Sequence, residues 1–255
     1  MPSTGSNENL DRLVGNQANM GFVQTDVLYR RARTENLGGI KTLLALHPES
    51  LHFVVRNEVL SQGGVMGIGA KEYTLSTIEH LAGRKLAAAG GSVETAKQVK
   101  TDSDIGFQIV EAPNNGDAKK MLDSKQVDAV LFVGGVPLGD VAALGAGYKL
   151  LSVPQPVAEK LKGAYRPTRI TYRGMKAEGV ATVGTDALLV TREYKTPAMQ
   201  QSLAKFRSCV LSKLDEIKET TGTHPAWQTV EADNRGKWSY YELPTVAEPT
   251  TPKKK

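Results

Sequence analysis

A chain of 255 residues, 40% of them hydrophobic, is long enough to bury the cores of two lobes of ordinary domain size. Lys253, Lys254 and Lys255 supply three of the net +5 charges, and no basic stripe interleaved with aromatics, helix-turn-helix or zinc-finger spacing supports nucleic-acid binding. The single Cys209 excludes an intrachain disulfide, and the four histidines (His47, His52, His80 and His224) are scattered, so neither a metal site nor a cofactor is expected. No run reaches the roughly eighteen apolar residues that cross a bilayer, and the amino end lacks the charged start and apolar run of a secretion signal.

Residues 6–14 read as a short helix stopped by Gly15, 18–24 as a strand, and 27–34 as a helix capped by Thr25 or Asp26. Residues 43–47 and 51–55 read as two apolar strands separated by a turn at Pro48, of the kind that lies inside a sheet covered by helices. The stretch from Asn57 to Thr74, dense in glycine (Gly63, Gly64, Gly67, Gly69), reads as a crossing segment. Residues 76–82 follow as a short helix, with Ser76 and Glu79 in capping-box spacing.

The chain is organised around residues 85–99. Lys85 to Ala89 reads as a buried strand, Gly90 and Gly91 as a sharp turn, and Ser92 as the N-cap of a helix that carries Thr95 one turn on. Backbone N–H groups and two hydroxyls so placed converge on an anion. The same Gly-Gly-Ser is equally ordinary punctuation in an α/β domain.

The helix over 93–100 fades at Thr101 to Asp104, 107–110 is a strand, Asn115-Gly-Asp117 caps a helix over 118–124, and 127–133 is the strongest strand. Gly134 to Asp140 is a second glycine turn at a strand's carboxyl end, where open parallel sheets place their ligands. A strand over 148–153 is broken by Pro154 and Pro156. A short helix over 157–161, an extended 170–172 and a loop over 174–179 lead to a β-branched strand over 180–191, long enough to travel between lobes. Residues 197–220 are the longest helical candidate, with Leu203, Phe206, Val210, Leu214 and Ile217 at helical spacing and Cys209 packed among them. Trp227 and Trp238 pack short elements against a lobe.

In this order, the stretches GSNENLDRL from Gly5, ANMGFVQTDV from Ala18, LHFVVR from Leu51, IEHLAGRK from Ile78, GGSVET from Gly90, VDAVLFVGGVP from Val127, YRG from Tyr172 and VATVG from Val180 resemble the TAXI family of solute-binding proteins. These are the extracytoplasmic receptors of one class of TRAP transporters. The resemblance covers about residues 5–225. It implies an α/β, two-lobed type II periplasmic-binding-protein-like fold: residues 1–57 and 184–244 in the first lobe, 58–183 in the second, and a flexible basic tail over 245–255.

On that resemblance Gly90, Gly91, Ser92 and Thr95 hold a ligand carboxylate, Gln24, Thr25 and Asp26 face the cleft from the first lobe, and Gly135, Pro137 and Tyr172 line it. It implies a periplasmic receptor, not an enzyme, that passes a small organic acid or amino acid (glutamate or a dicarboxylate, for example) to membrane-embedded TRAP transporter subunits. One departure stands out: family members open with a strand, a glycine-rich loop and a tyrosine-bearing helix, none of which precedes Ser3, so the first lobe is expected to be incomplete.

Two other readings stay open. An interaction or scaffold module that retained the fold would fill its cleft with its own side chains. An enzyme acting on a small organic acid would pair carboxylates among Asp26, Glu94, Asp128 and Asp140, although such residues at strand ends and helix starts act chiefly as caps. The effector lobe of a transcription regulator shares the wider fold, but no DNA-reading helix pair accompanies it.

Overall fold

The computed structural model describes residues 3–62 and 71–245. Gly63, Gly64, Gly67 and Gly69 of the expected crossing segment, and the expected tail beyond residue 245, lie outside the described residues. Apolar runs punctuated by glycine, proline and capping residues give α1 (Ser6–Val14), β1 (Met20–Gln24), α2 (Thr25–Arg31), β2 (Ile40–Arg56), β3 (Leu60–Gln62) and β4 (Lys71–Tyr73). After a 3-10 turn (Ile78–Leu81) come β5 (Lys85–Ala89), α3 (Gly91–Ser103), β6 (Gln108–Ala112), α4 (Asn115–Asp123), β7 (Ala129–Gly134), α5 (Gly139–Ala142) and β8 (Tyr148–Leu150). The chain closes with α6 (Gln155–Leu161), β9 (Arg166–Tyr172), β10 (Ala177–Arg192), α7 (Pro197–Ser212) and α8 (Leu214–Glu219).

Eight strands join in the order β1-β10-β2-β7-β5-β6, with β8 on β2 and β9 on β10. The two long strands change partners halfway. The first half of β2 pairs with β10, from Ile40 opposite Arg192 to Ser50 opposite Gly184, and its second half pairs with β7 from Ser50 opposite Gly134 onward. β10 pairs first with β9 up to Gly184, then with β2 and with β1. The sheet is thereby divided into two lobes that share β2 and β10. The β1 lobe contains β1 and the halves of β2 and β10 that pair with each other, whereas the β5 lobe contains the parallel β7-β5-β6 and the remaining halves. Both faces of each lobe's sheet carry a buried cluster: Phe53, Leu86 and Leu131 on one face of the β5 lobe, Val54, Ala87 and Phe132 on the other. Leu188 and Val190, against Leu43 and Leu189, do the same in the β1 lobe.

Gly184 marks the crossing because a side chain does not fit comfortably: a Cβ there would sit 3.1 Å from the Glu49 carbonyl oxygen. Residues 43–47 and 51–55 are not two strands around a Pro48 turn but one strand of 17 residues. Pro48 lies opposite Asp186, beside a register irregularity in β10. Pairing with β7 starts only at Ser50, so the missing N–H of Pro48 leaves no ladder bond unmade on that flank.

Other expectations shift in detail. α3 begins at Gly91, so its N-cap is Gly90, and it runs on through Thr101 and Asp102 to Ser103 before Asp104 ends it at φ 62°. Buried Val99 and Ser103 hold that last turn down. The capping box at the 3-10 turn uses Thr77 and His80 instead of Ser76 and Glu79. The expected loop over 174–179 contains buried Met175, and β10 begins at Ala177. The helix over 197–220 breaks at Lys213. α7 packs through Leu203 and Ala204, which leaves Phe206 38% exposed and Cys209, about 120° around the helix from Leu203, at the surface. Among the described residues no helix is long and apolar enough to cross a membrane.

Candidate functional site

Chain reversals at the carboxyl ends of β1, β5 and β7 leave a cavity of about 280 Å³ at the strand crossing. From the β1 lobe it is lined by the start of α1 (Gly5, Ser6), the end of β1 (Phe22, Val23, Gln24), Ala187 of β10, and Glu49 at the crossing itself. The β5 lobe contributes Ala89, the opening of α3 (Gly91, Ser92), Asn115 and Val133.

Two helix N-termini therefore meet across the cavity. Gly5 is the N-cap of α1, and a Cβ on it would lie 3.6 Å from the Gly91 nitrogen; a Cβ on Gly91 would lie 2.9 Å from Gln24 Oε1. Gly90 sits at φ 54°, with the Thr4 carbonyl oxygen 2.6 Å from where its Cβ would be, so both its conformation and its neighbour require glycine. The first N–H groups of a helix have no intrahelical acceptor and carry about half a positive charge. Those of Gly91 and Ser92 meet no acceptor among the described residues, and neither does the Ser92 hydroxyl.

Gln24 is fixed from three sides. Its backbone N–H donates to Ser6 Oγ (3.1 Å), its Oε1 accepts from the same hydroxyl (3.4 Å), and its Nε2 donates to Glu49 Oε2 (2.6 Å). Burial pushes the Glu49 carboxyl up to about 7, against the lowering hydrogen bond from Gln24 and with further upward pressure from Asp26.

Of the residues expected to hold a ligand, the structure brings Gln24, Gly91 and Ser92 to this cavity, with Gly90 capping the helix behind them. Thr25, Asp26 and Thr95 do not line it. Asp26 is wholly buried and its Oδ2 accepts from Thr95 Oγ1 (2.6 Å) and Tyr165 Oη (2.9 Å), which ties α2 to the β5 lobe. Thr25 Oγ1 donates to the Asp186 carbonyl (3.1 Å), and the Asp26 N–H donates to Thr185 Oγ1 (3.2 Å). Burial raises the Asp26 carboxyl, opposed by the Thr95 and Tyr165 hydrogen bonds, and burial with the Asp26 charge beside it raises Tyr165 well above the usual phenol range.

Gly135, Pro137 and Tyr172 also lie apart from the cavity lining. Gly135 packs against Ala226, whose Cβ is 2.7 Å from where a Cβ on the glycine would be. His224 Nε2 donates to the Pro137 carbonyl (3.0 Å), its Nδ1 accepting from the Ala226 N–H. Tyr172 Oη accepts from the Leu138 N–H and donates to His52 Nε2, each at 2.8 Å.

The other carboxylates considered for catalysis stay separate. Glu94 pairs with Lys97, Asp128 with Arg84, and Asp140 accepts from Asn115. No group of three or more potential metal ligands occurs among the described residues. Sequence reasoning missed Glu49, Ser6 and Phe22. The signal for Glu49 was present in the polar His-Pro-Glu-Ser interruption of an apolar run, which reads as a turn until the strand is known to be continuous.

The sequence pattern of the NMT1-like family matches residues 1–239. The chain belongs to the NMT1-like family. Among solved structures, this NMT1-like protein is similar to Tv2483 bound to L-arginine (13% identity, TM-score 0.51, covering 86% of this chain and 70% of that one). It is likewise similar to the GluR0 ligand-binding core in complex with L-glutamate (11% identity, TM-score 0.50, covering 84% and 76%). A periplasmic binding protein from Brucella ovis with glutathione bound is 12% identical with a TM-score of 0.47, and this chain spans 60% of its length. At these identities what is shared is the fold, which is type II periplasmic-binding-protein-like.

Proposed function

We propose that this protein is a solute-binding receptor that encloses a small carboxylated solute between its lobes. The observation that carries the reading is the convergence of two helix N-termini, one from each lobe, on a single cavity that also receives the unpartnered Ser92 hydroxyl. Facing positive helix ends repel each other unless an anion lies between them. No side chain of the described residues fills the cleft, which favours a receptor over a scaffold module, and helix termini hold an anion without chemistry, which suits a receptor better than an enzyme.

In this reading the first lobe comprises residues 1–57 and 184–244 and the second 58–183. The exchange of strand partners at Gly184 and at Ser50 supports a division of the chain near these bounds. In this reading, supported by the resemblance to TAXI receptors, the protein works in the periplasm and delivers its solute to TRAP-type transporter subunits in the membrane.

Titration calorimetry with a panel of small organic acids and amino acids tests the reading, and heat from none of them overturns it. Ser92→Ala should weaken a bound acid roughly tenfold, the loss of a hydrogen bond to a charged group worth about 1.5–3 kcal/mol. Thr95→Ala should leave affinity within about threefold and lower stability instead, because its hydroxyl serves Asp26.

A further inference from the structure

Resting on the reading of the cavity as a carboxylate cleft, we propose that Glu49 selects which carboxylated solutes enter: small zwitterionic amino acids are accepted, and dicarboxylates are excluded.

Among the described residues Glu49 is the one charged side chain in the lining, and no lysine or arginine joins it. It forms no ion pair among the described residues; its one side-chain partner is the neutral Gln24 amide, which Ser6 fixes in turn. Arginines on the elements around the cavity are engaged elsewhere, Arg12 with Glu8, Arg30 with Glu94, Arg31 with Asp11 and Glu35, and Arg192 with Asn19 and Tyr194. A carboxylate held this way beside open space is a partner for an ammonium group, since a buried charge without a counter-charge is costly.

The charge census then decides between ligands. Two helix N-termini offer about half a positive charge each, which offsets one ligand carboxylate and leaves Glu49 to be offset by the ligand itself. An amino acid brings its own ammonium and the cavity closes neutral. A dicarboxylate adds a second anion that meets Glu49 with no cation present, and like charges across a cavity of this size, at a protein-like dielectric, weaken binding on the order of a hundredfold. A volume of about 280 Å³ lies at the small end of ligand cavities, which suits a short side chain.

Calorimetric titration at pH 8 of the whole chain tests this with the common L-amino acids, the des-amino acid of each binder, and succinate and glutarate. The expected result is binding of one or more small neutral amino acids, at least tenfold weaker binding of the matching des-amino acid, and about hundredfold weaker binding of both dicarboxylates. Glu49→Gln should weaken the amino acid about tenfold and strengthen its des-amino acid. If wild-type protein prefers the des-amino acid or a dicarboxylate, the selectivity role of Glu49 is wrong while the carboxylate cleft stands. That comparison needs no variant and so decides even where Glu49→Gln fails to fold. If no acid of any kind gives heat or a melting shift, the cleft reading falls and this inference with it.

Discussion

Asp26→Ala is expected to lower the free energy of unfolding by about 3–5 kcal/mol in urea titration. The aspartate is wholly buried, and its loss strands the Tyr165 hydroxyl and leaves Thr95 only a long bond to the Gly91 carbonyl (3.5 Å), a buried donor without a good acceptor costing about 1–3 kcal/mol. Asp26→Asn keeps an acceptor of the same shape and should recover most of that stability. The ion pairs along the same α2–α3 seam, Arg30 with Glu94 and Arg33 with Asp102, are longer and closer to solvent, and their removal should cost under about 1 kcal/mol. A loss below about 1 kcal/mol for Asp26→Ala would show that the lobes are not held by this cluster. The sign of its pH dependence follows from burial, which raises the Asp26 pKa: the folded chain keeps a proton that the unfolded chain releases. This contribution is complete below the ordinary carboxylate range and declines as pH rises, a slope that Asp26→Asn should remove.

The second large effect is a near-cancellation. Burial pushes His52 down to about 4, so the folded protein resists a proton that the unfolded histidine takes up near 6.5. Stability from His52 is therefore present above pH 6.5 and falls by up to about 3 kcal/mol as pH drops to 4. Glu49, raised to about 7, has the opposite slope: its contribution is complete below about 4.5 and falls by up to about 3 kcal/mol as pH climbs to 7. In wild-type protein the two offset each other between about pH 4.5 and 6.5. Urea unfolding across that range should show Glu49→Gln losing stability toward acid and His52→Gln losing it toward neutrality. Identical slopes in both variants would contradict the burial assigned to these side chains.

The parts of the fold that depend on local pattern were legible in the sequence. The β-branched run at 180–191 announced a strand long enough to serve both lobes, and it does so as β10. The Gly90-Gly91-Ser92 turn announced the opening of a helix, and α3 begins there with Gly90 as its N-cap and Gly91 and Ser92 on the cavity wall. What local pattern does not carry is partner choice. Thr95 reads as a second ligand hydroxyl because it stands one turn from Ser92, yet its partner is Asp26, 69 residues away. Tyr165 joins the same carboxylate from 139 residues away, and nothing in its neighbours foretells that. Pro48 reads as a turn because proline removes a donor, and β2 passes through it unbroken because β7 begins pairing only at Ser50, while the β10 flank opposite Asp186 carries a register irregularity. Cys209 and Phe206 have the spacing of a buried stripe, but α7 touches the sheet along a face too narrow to cover them.

In the proposed function a carboxylate docks on the opening of α3 at the strand crossing. Its most direct test follows the backbone amide resonances of Gly5, Ser6, Gly91 and Ser92 while small amino acids and organic acids are titrated into the protein. Saturable shifts are expected at Gly91 and Ser92 first, with Gly5 and Ser6 following as the facing helix end. Saturable binding that leaves these amides unmoved and instead shifts Gly135 and Leu138 would contradict it.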